Sequence, residues 1–195
     1  MNDVEIRQNF HRKILRRQHV RNDTLVIDEL GLQHGKCRAD IAVVNGHLVG
    51  YEIKSDKDSL RRLREQVKAY SAVFDRAFII VGNRHIDSIK DRIPGWWGVI
   101  RSSRGPKGAI NFNMIRRAKV NRNVDPVSVA RLLWRDEAVE ILEQRRLPSR
   151  VLRQPRAALY KHLAELLNTC ELRKAVRQYL QKRKNWRCPQ HTISN

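Results

Sequence analysis

Two short runs of alternating apolar and polar residues flank an Asn-Gly pair between residues 38 and 54. Residues 38–44 read RADIAVV and residues 47–54 read HLVGYEIK, and alternation with a period of two is typical of strands with one buried face. Asn-Gly between two such runs is a strong short-range signal for a β-hairpin. The segment therefore predicts a sheet, and the pairing of its two strands decides which side chains share a face.

The length of the hairpin loop decides whether Asp40 and Glu52 lie on the same face. A two-residue loop places them on opposite faces. A three-residue loop over residues 44–46, with Gly46 in the left-handed position of a bulge, places Asp40 opposite Gly50 and diagonal to Glu52. Only the second register gathers the apolar side chains of both strands on one face, so we predict the bulged hairpin. Those apolar side chains are Ile41, Val43, Val49, Tyr51 and Ile53.

In this register one face of the hairpin is core, and the other carries Asp40, Glu52 and Lys54. Residues two apart on a strand point the same way, so Glu52 and Lys54 are neighbours. Gly50 is expected to leave open space on this face, and Glu29, near the end of the preceding strand, is expected to reach the same edge. The alternative is an ordinary solvent-facing pair of Glu52 and Lys54, and the acidic Asp40 on the adjacent strand argues against it.

Two carboxylates beside an ammonium group are typical of a site for a hard cation. Mg²⁺ takes oxygen ligands, usually one or two carboxylates together with waters and substrate phosphate. Such an ion would polarise a phosphodiester and lower the pKa of a bound water. Lys54 would orient that water or stabilise charge on the pentacovalent phosphate. The pattern therefore predicts phosphodiester chemistry with Mg²⁺, or with Mn²⁺ in its place.

The other periodic segments predict an α/β fold, a mixed sheet with helices on its faces. Besides the hairpin, the predicted strands are 24–30, 77–81, 96–100 and 109–119. The predicted helices of this part are 3–18, with Ile6, Phe10 and Ile14 on one face, then 58–74 and 83–92. The fully apolar run 77–81 indicates a central, buried strand.

Basic charge is concentrated in the C-terminal part of the chain. The whole sequence has 40 Lys and Arg against 20 Asp and Glu, a formal net charge of +20. Residues 115–195 contribute 19 of the basic and only seven of the acidic residues. Helices are predicted there at 126–145, 155–167 and 169–184, before a final stretch of about ten residues without periodicity. We therefore predict a core over residues 1–122 and a basic helical region over 123–195.

Composition narrows the class of protein and of partner. The apolar run 78–81 is far shorter than the roughly 18 residues of a membrane span, so no membrane association is expected. The polar N-terminus is not a secretory signal. Three scattered cysteines form no disulfide framework, which favours a cytoplasmic location. A surplus of +20 favours nucleic acid as the partner, DNA above all. The sequence contains no signal for an oligomeric state.

Gln66 and Tyr70 are four residues apart on the helix after the hairpin, so they share one helix face. One interpretation makes Tyr70 a core residue aligned with Leu63 and Phe74, and makes Gln66 a flanking residue. The other places both beside Asp40, where Gln66 holds a phosphate or a ligand water and Tyr70 supports it. Spacing alone leaves both interpretations open.

These residues as a set resemble the PD-(D/E)XK nuclease superfamily, the restriction-endonuclease-like fold. Asp40, then Glu52-Ile53-Lys54 on the next strand, then a helix with Q-x-x-x-Y is similar to its RecB-like and λ-exonuclease-like branches. With VIDELGLQHGKCRADIAVVNG, GYEIKSD and WWGVI, the set is similar to a bacterial family of short uncharacterised proteins named after a myxobacterial reading frame. The resemblance covers residues 1–145 and departs from the superfamily pattern at Ala39, which replaces a proline.

The resemblance implies Mg²⁺-dependent hydrolysis of phosphodiester bonds, with Asp40, Glu52 and the Ile53 carbonyl as metal ligands. It also implies that Lys54 lies near the attacking water. The predicted catalytic set is Asp40, Glu52, Lys54, Glu29 and Gln66. The predicted nucleic-acid-binding set, which would contact phosphate without reading bases, is Tyr70, Arg61, Arg62, Arg153, Arg156, Lys182 and Arg183.

Two other functions remain open for this sequence. One is a catalytically silent nucleic-acid-binding module of the same fold. The other is a basic RNA-associated or partner-binding protein whose carboxylates are structural, and in which Glu52→Ala lowers stability. The nuclease hypothesis predicts that the metal-free Glu52→Ala protein is at least as stable as the wild type, because a repelling carboxylate is removed.

Overall fold

The computed structural model describes residues 1–183 and residue 186, and it shows an α/β protein built on a six-stranded sheet. The strands are β1 (Leu25–Leu32), β2 (Cys37–Val44), β3 (Leu48–Lys54), β4 (Arg76–Val81), β5 (Gly98–Arg104) and β6 (Ile110–Arg116). They lie side by side in chain order. β4 is parallel to β3 and β5, and the other neighbours pair antiparallel. The predicted mixed sheet, with 77–81 at its centre, is confirmed.

Helices cover the sheet and continue beyond its last strand. They are α1 (Asp3–Lys13), α2 (Arg16–His19), α3 (Leu63–Ser71), α4 (Pro126–Ala130), α5 (Arg135–Gln144), α6 (Ser149–Leu152), α7 (Arg156–Leu166) and α8 (Thr169–Lys182). The predicted helical C-terminal extension is therefore present as α4 to α8. Within the described residues, no helix combines the length and the apolar character that crossing a membrane requires.

Each face of the sheet packs against its own cluster of buried side chains. The smaller cluster joins Ile6 and Phe10 of α1 to the hairpin, and all five apolar hairpin residues predicted to share a face belong to it or pack against it. The larger cluster covers the opposite face with α3 and the C-terminal helices, which contribute Leu159 and Leu172. The C-terminal helices bury their apolar stripes on this second face.

The hairpin confirms which side chains share a face, but the residues that pair across its two strands are not the predicted ones. Its connection has three residues, 45–47, and Val44 pairs with Leu48. Gly50 lies opposite Ala42, two residues along β2 from the predicted partner Asp40. A shift of two residues keeps every side chain on its predicted face, because the side-chain period of a strand is two. Continuing this register by one step past Ile41 and Tyr51 brings Asp40 directly opposite Glu52.

The turn of the hairpin is closed by a side chain instead of a left-handed glycine. Gly46 is not in the left-handed region, which among the described glycines holds only Gly35 and Gly108. The Asn45 side-chain oxygen accepts the His47 N–H at 3.2 Å. The bulge predicted at Gly46 is therefore wrong, because asparagine supplies the turn through its own side chain.

Gly50 does not leave open space beside the site. A Cβ atom at this position would lie 2.7 Å from two ring carbons of Phe74, which follows the end of α3. The glycine is therefore required for α3 to approach β3 closely, and Phe74 fills the predicted gap.

Several helix ends differ from the periodicity-based predictions. The first helix stops at Lys13, so that Leu15 is buried while Ile14, which was predicted to share a helix face with Ile6 and Phe10, is 42% exposed. The helix predicted at 58–74 is ordered as α3 only from Leu63, and the one predicted at 83–92 is a single 3-10 turn at Asn83–His85. The helix predicted at 126–145 is divided into α4 and α5. Residue 184 and the aperiodic C-terminal stretch lie outside the described residues, apart from Trp186.

Candidate functional site

Asp40, Glu52 and Lys54 meet where β2 and β3 separate, as the sequence predicts. The pairing of the two strands ends at Ile41 and Tyr51, and beyond it the Ile53 N–H donates to Asp40 Oδ2 at 2.7 Å. The Asp40 carboxylate therefore replaces a backbone partner and ties its strand to β3. Since N–H and C=O of one strand residue point to the same side, the Ile53 carbonyl also faces this edge.

Glu52 is the most enclosed member of the group, with a fully buried side chain. Lys54 Nζ lies 2.7 Å from its Oε1, and the Lys54 side chain is only 9% exposed. Tyr70 donates its hydroxyl hydrogen to Glu52 Oε2 at 2.7 Å, and the Gln66 amide Nε2 donates to Oε1. Three donors thus hold one carboxylate in a fixed orientation, which is the arrangement expected of a preorganised site.

Gln66 and Tyr70 both lie beside the carboxylates, and Tyr70 is at the same time a core residue packed with Leu63 and Phe74. Both project from one face of α3 onto Glu52, and the Tyr70 hydroxyl also accepts the Asp40 N–H at 3.2 Å. The Tyr70 ring is completely buried, so it supports the two carboxylates and faces no external ligand. The Gln66 Oε1 atom is buried without a hydrogen-bond partner, which marks a place where an additional donor would be accommodated.

Arg7 is a member of the site that no sequence pattern indicates. It extends from α1 to place Nη1 at 2.7 Å from Glu29 Oε1 and Nη2 at 3.2 Å from Asp40 Oδ1. Nη2 also lies 3.3 Å from Asp3 Oδ2, one turn earlier on the same helix. Nothing in the sequence distinguishes this arginine from the other basic residues of the N-terminal segment, because the contact to Asp40 spans 33 residues.

Glu29 reaches this edge by means of an unusual backbone conformation. Its φ angle is +56°, a left-handed value that side-chain-bearing residues rarely adopt. The pairing of β1 with β2 is interrupted there: Asp28 pairs with Ile41 and Leu30 with Ala39, and the step between them is skipped. Strained backbone of this kind costs about 1–3 kcal/mol and is concentrated at functional sites. The interruption turns Glu29 toward Arg7.

The electrostatics of the two central carboxyls follow from their surroundings. Burial, and then the neighbouring Glu52 charge, raise the pKa of Asp40 to about 8, against the opposing effects of the Ile53 N–H and Arg7. Burial also raises the pKa of Glu52, and Lys54 opposes that shift. The two carboxyls therefore resist being ionised together, and an added cation would relieve their repulsion.

The oxygen atoms gathered here fit a magnesium-type ion. Asp40, Glu52 and the Ile53 carbonyl would hold it, and the unpartnered Gln66 oxygen would be a further ligand atom. These are hard oxygen donors, and two carboxylates suffice for Mg²⁺, which keeps several waters. In the part of the chain that the structure describes, no group of three or more His, Cys, Asp or Glu side chains is arranged to hold a metal. Water and substrate would supply the remaining ligands of such an ion.

A cleft of 630 Å³ opens above the site, and Asp40, Glu29 and Gln66 form part of its lining. Glu52 and Lys54 lie beneath these side chains, since both are buried. Besides the acidic Glu65, four basic residues line the cleft and make its wall outside the site mainly cationic. They are Lys36, Arg38, Arg62 and Lys68.

The predicted nucleic-acid residues separate into three groups in the structure. Arg62 lines the cleft, and Arg61 is exposed beside it at the start of α3. Arg153, Arg156 and Lys182 are exposed on the C-terminal helices. Arg183 is engaged inside the protein: its side chain is 7% exposed and lies 2.6 Å from Glu137, against the ring of Trp134. Arg183, like the buried Tyr70, therefore does not contribute to an exposed surface.

Fold and site together define a mixed α/β protein with a buried carboxylate–lysine centre below a basic cleft. The chain belongs to the family of bacteriophage P4 protein cII, whose family model matches residues 2–190. Protein cII of Enterobacteria phage P4 is 28% identical over 123 residues, which are 63% of this chain and 46% of that protein. The match thus spans about half the length of this relative.

A solved structure of similar architecture is the SPO1766 protein of unknown function from Silicibacter pomeroyi. It is 19% identical, and the alignment covers 76% of this chain and 96% of that one with a TM-score of 0.45.

Proposed function

We propose that this protein is a metal-dependent nuclease that hydrolyses phosphodiester bonds in DNA. The observation that carries the proposal is the convergence of Asp40, Glu52 and Lys54 at the floor of a basic cleft. The resemblance to PD-(D/E)XK nucleases supports the same assignment. In particular, Gln66 and Tyr70 of the Q-x-x-x-Y helix both donate to Glu52.

The acidic residues would bind the divalent cation. Asp40, Glu52 and the Ile53 carbonyl would hold it, and the bound ion would supply polarisation of the phosphodiester and a water of lowered pKa. Metal binding requires both carboxyls to be ionised, which burial and their mutual repulsion oppose. Arg7 and Lys54 partly offset this opposition, because each places a positive charge against one carboxylate.

Lys54 and Gln66 would act on the reacting groups. The Lys54 ammonium lies beside Glu52 and would stabilise the negative charge that develops on the phosphate. The free Gln66 oxygen would accept a hydrogen bond from a ligand water and orient it. In the hydrolysis, the water oxygen adds to phosphorus, the P–O bond to the leaving group breaks, and the leaving oxygen takes up a proton.

A cleavage assay tests the proposal. Labelled single-stranded, duplex and branched DNA and RNA are incubated with the protein in Mg²⁺, Mn²⁺ or EDTA. We expect cutting only with a metal, and a loss of about 100-fold or more in Lys54→Ala, as for removal of one preorganised charge-stabilising group. Lys57→Ala is the matched control, since Lys57 is exposed on the loop that follows. Cutting in EDTA, or full activity of Lys54→Ala, would contradict the assignment.

A catalytically silent nucleic-acid-binding module is the second candidate. The observation that favours it is that both central carboxylates already have an internal cation. Arg7 lies 3.2 Å from Asp40, and Lys54 lies 2.7 Å from Glu52. This candidate predicts salt-sensitive binding to the same substrates and no cutting of any of them in either metal.

DNA as the partner and the cytoplasm as the location belong to the same proposal. The net charge of +20 and the exposed Arg153, Arg156 and Lys182 support a polyanionic partner. Cys37 and Cys170 are both free, which suits a reducing compartment.

A further inference from the structure

The loop that joins β1 to β2 forms a strained rim at the mouth of the cleft. Gln33, His34 and Gly35 have φ angles of +50°, +60° and +85°, three left-handed residues in succession. Gln33 and Gly35 line the cleft together with Lys36. Two of the three carry side chains, so the conformation is costly, and it presents His34 outward from the rim.

The rim is surrounded by positive charge from three separate parts of the chain. Burial lowers the pKa of His34, and the nearby charges of Arg131, Arg156 and Lys36 lower it further. Arg131 follows the end of α4, Arg156 begins α7, and Lys36 follows the loop itself. These three residues thus continue the cationic wall of the cleft toward the C-terminal helices.

The His34 ring is shaped as a stacking platform. Its centroid lies 5.6 Å from that of the Tyr160 ring, with an angle of 31° between the planes. Tyr160 is fully buried and is fixed by a 2.9 Å hydrogen bond from its hydroxyl to the Leu133 carbonyl. His34 itself is exposed, and the lowering of its pKa favours the neutral ring. An aromatic ring with a supported inner side and an exposed outer side can stack with an unpaired base.

We propose that His34, Lys36, Arg131 and Arg156 form a binding site for single-stranded DNA that leads into the cleft. The cations bind the phosphates of the strand, and one base stacks on His34. A duplex hides the faces of its bases inside the helix, so the platform selects a single strand or an unpaired end. This inference rests on the proposed function, because it assigns the substrate class of the same site.

Binding measurements in EDTA test the inference on the wild-type protein without cleavage. The fluorescence anisotropy of a labelled single strand, and of the duplex of the same sequence, is titrated at several salt concentrations. We expect the single strand to bind more tightly than the duplex. Arg131→Gln/Arg156→Gln should weaken single-strand binding and reduce the slope of log K against log salt by about 1.4, the value for two phosphate contacts.

Two further variants isolate the stacking contribution. His34→Ala should weaken single-strand binding about tenfold, and His34→Phe should restore it, because base stacking needs an aromatic face. Arg16→Gln/Arg17→Gln, on α2, removes the same charge from exposed positions on another helix and should have a smaller effect on the salt slope. Equal losses in the two arginine pairs, tighter binding of the duplex, or no effect of His34→Ala would overturn the inference.

These outcomes are separable from the fate of the nuclease proposal. Specific single-strand binding through His34 without metal-dependent cutting would support the binding site and contradict the nuclease proposal. Metal-dependent cutting with unchanged binding in the His34 and arginine variants would support the nuclease proposal and contradict this binding site.

Discussion

Strand β3 has a cluster of charged groups around a buried carboxylate at each end, and the two clusters have opposite charge balances. At its beginning, Asp75 accepts the Leu48 N–H at 2.7 Å and lies 3.2 Å from Arg173 and 3.8 Å from Arg177. At its end lies the candidate site. Among the described ion pairs, one carboxylate at Asp75 thus faces two guanidinium groups, both from α8.

The candidate site contains more acidic than basic groups. Its four carboxylates belong to Asp3, Glu29, Asp40 and Glu52, and the cations in ion pairs with them are Arg7, Lys54 and, at 3.9 Å, the exposed Arg38. A buried carboxylate between two arginines is already neutralised and holds α8 on the sheet. The excess of carboxyl groups beside the cleft is relieved by a proton, which Asp40 keeps in the metal-free protein, or by a cation that replaces this proton. On this difference in charge balance we assign a structural role to the cluster at the beginning of β3 and propose a ligand site at its end.

The largest expected effect is the loss of the structural cluster. Asp75→Asn should lower the free energy of unfolding by about 3 kcal/mol, because it leaves two arginines without their buried counter-ion. Urea unfolding measures this, and Asp87→Asn, at a carboxylate whose side chain is 90% exposed, is the control with little expected change. If Asp75→Asn unfolds like the wild type, Asp75 is not the group that attaches α8.

The second prediction reverses an expectation drawn from the sequence. Glu52→Ala should destabilise the metal-free protein by about 2 kcal/mol, because it leaves the Lys54 ammonium buried without its partner. Replacing both residues, in Glu52→Ala/Lys54→Met, should recover part of the loss. Thermal unfolding in EDTA compares the variants. A double variant less stable than Glu52→Ala would show that the ion pair does not determine the effect.

A consequence is that the stability of Glu52→Ala no longer separates an enzyme from a protein with structural carboxylates. Both functions now predict a loss, so cleavage and metal binding are the discriminating measurements.

The third prediction concerns the pH dependence of stability. Folded Asp40 keeps its proton up to about pH 8, whereas its ordinary pKa is 3.8. Between these two pH values the folded, metal-free protein binds more protons than the unfolded protein. Its free energy of unfolding should therefore fall as pH rises from 4 to 8. A shift of one pKa unit already corresponds to about 1.4 kcal/mol. Asp40→Asn should flatten this part of the profile, and an unchanged slope in Asp40→Asn would contradict the shift.

The smallest expected effect concerns Arg7 as a competitor of the metal. Arg7→Gln removes a positive charge 3.2 Å from Asp40. That charge favours the ionised carboxylate, but it repels a bound divalent ion more strongly because the ion carries two charges, so Mn²⁺ binding should tighten about three- to tenfold, measured by calorimetry. Arg12→Gln, an exposed position on the same helix, is the matched control. Weaker Mn²⁺ binding in Arg7→Gln would instead mean that Arg7 holds Asp40 in place for the ion.

Local sequence patterns were sufficient to predict which side chains of the site share a face of the sheet. Alternation along residues 38–54 placed Asp40, Glu52 and Lys54 on one face, although the register was shifted by two residues. The shift left each side chain on its predicted face, because side chains alternate between the two faces and an offset of two residues does not exchange them. The helical spacing of Gln66 and Tyr70 likewise put both on one face of α3, but it left open whether that face met the core or the carboxylates.

The sequence by itself determined the α/β class, the central strand, the basic helical extension and the shared face of the three site residues. These follow from side-chain periodicity and charge, which are properties of neighbouring residues. Only the tertiary structure decided that Arg7 reaches Asp40, that Phe74 fills the space at Gly50, and that Arg183 is buried against Glu137. Each of these contacts joins residues far apart in the chain. Its energy depends on burial and on the charges around it, and both arise only when the helices have packed on the sheet.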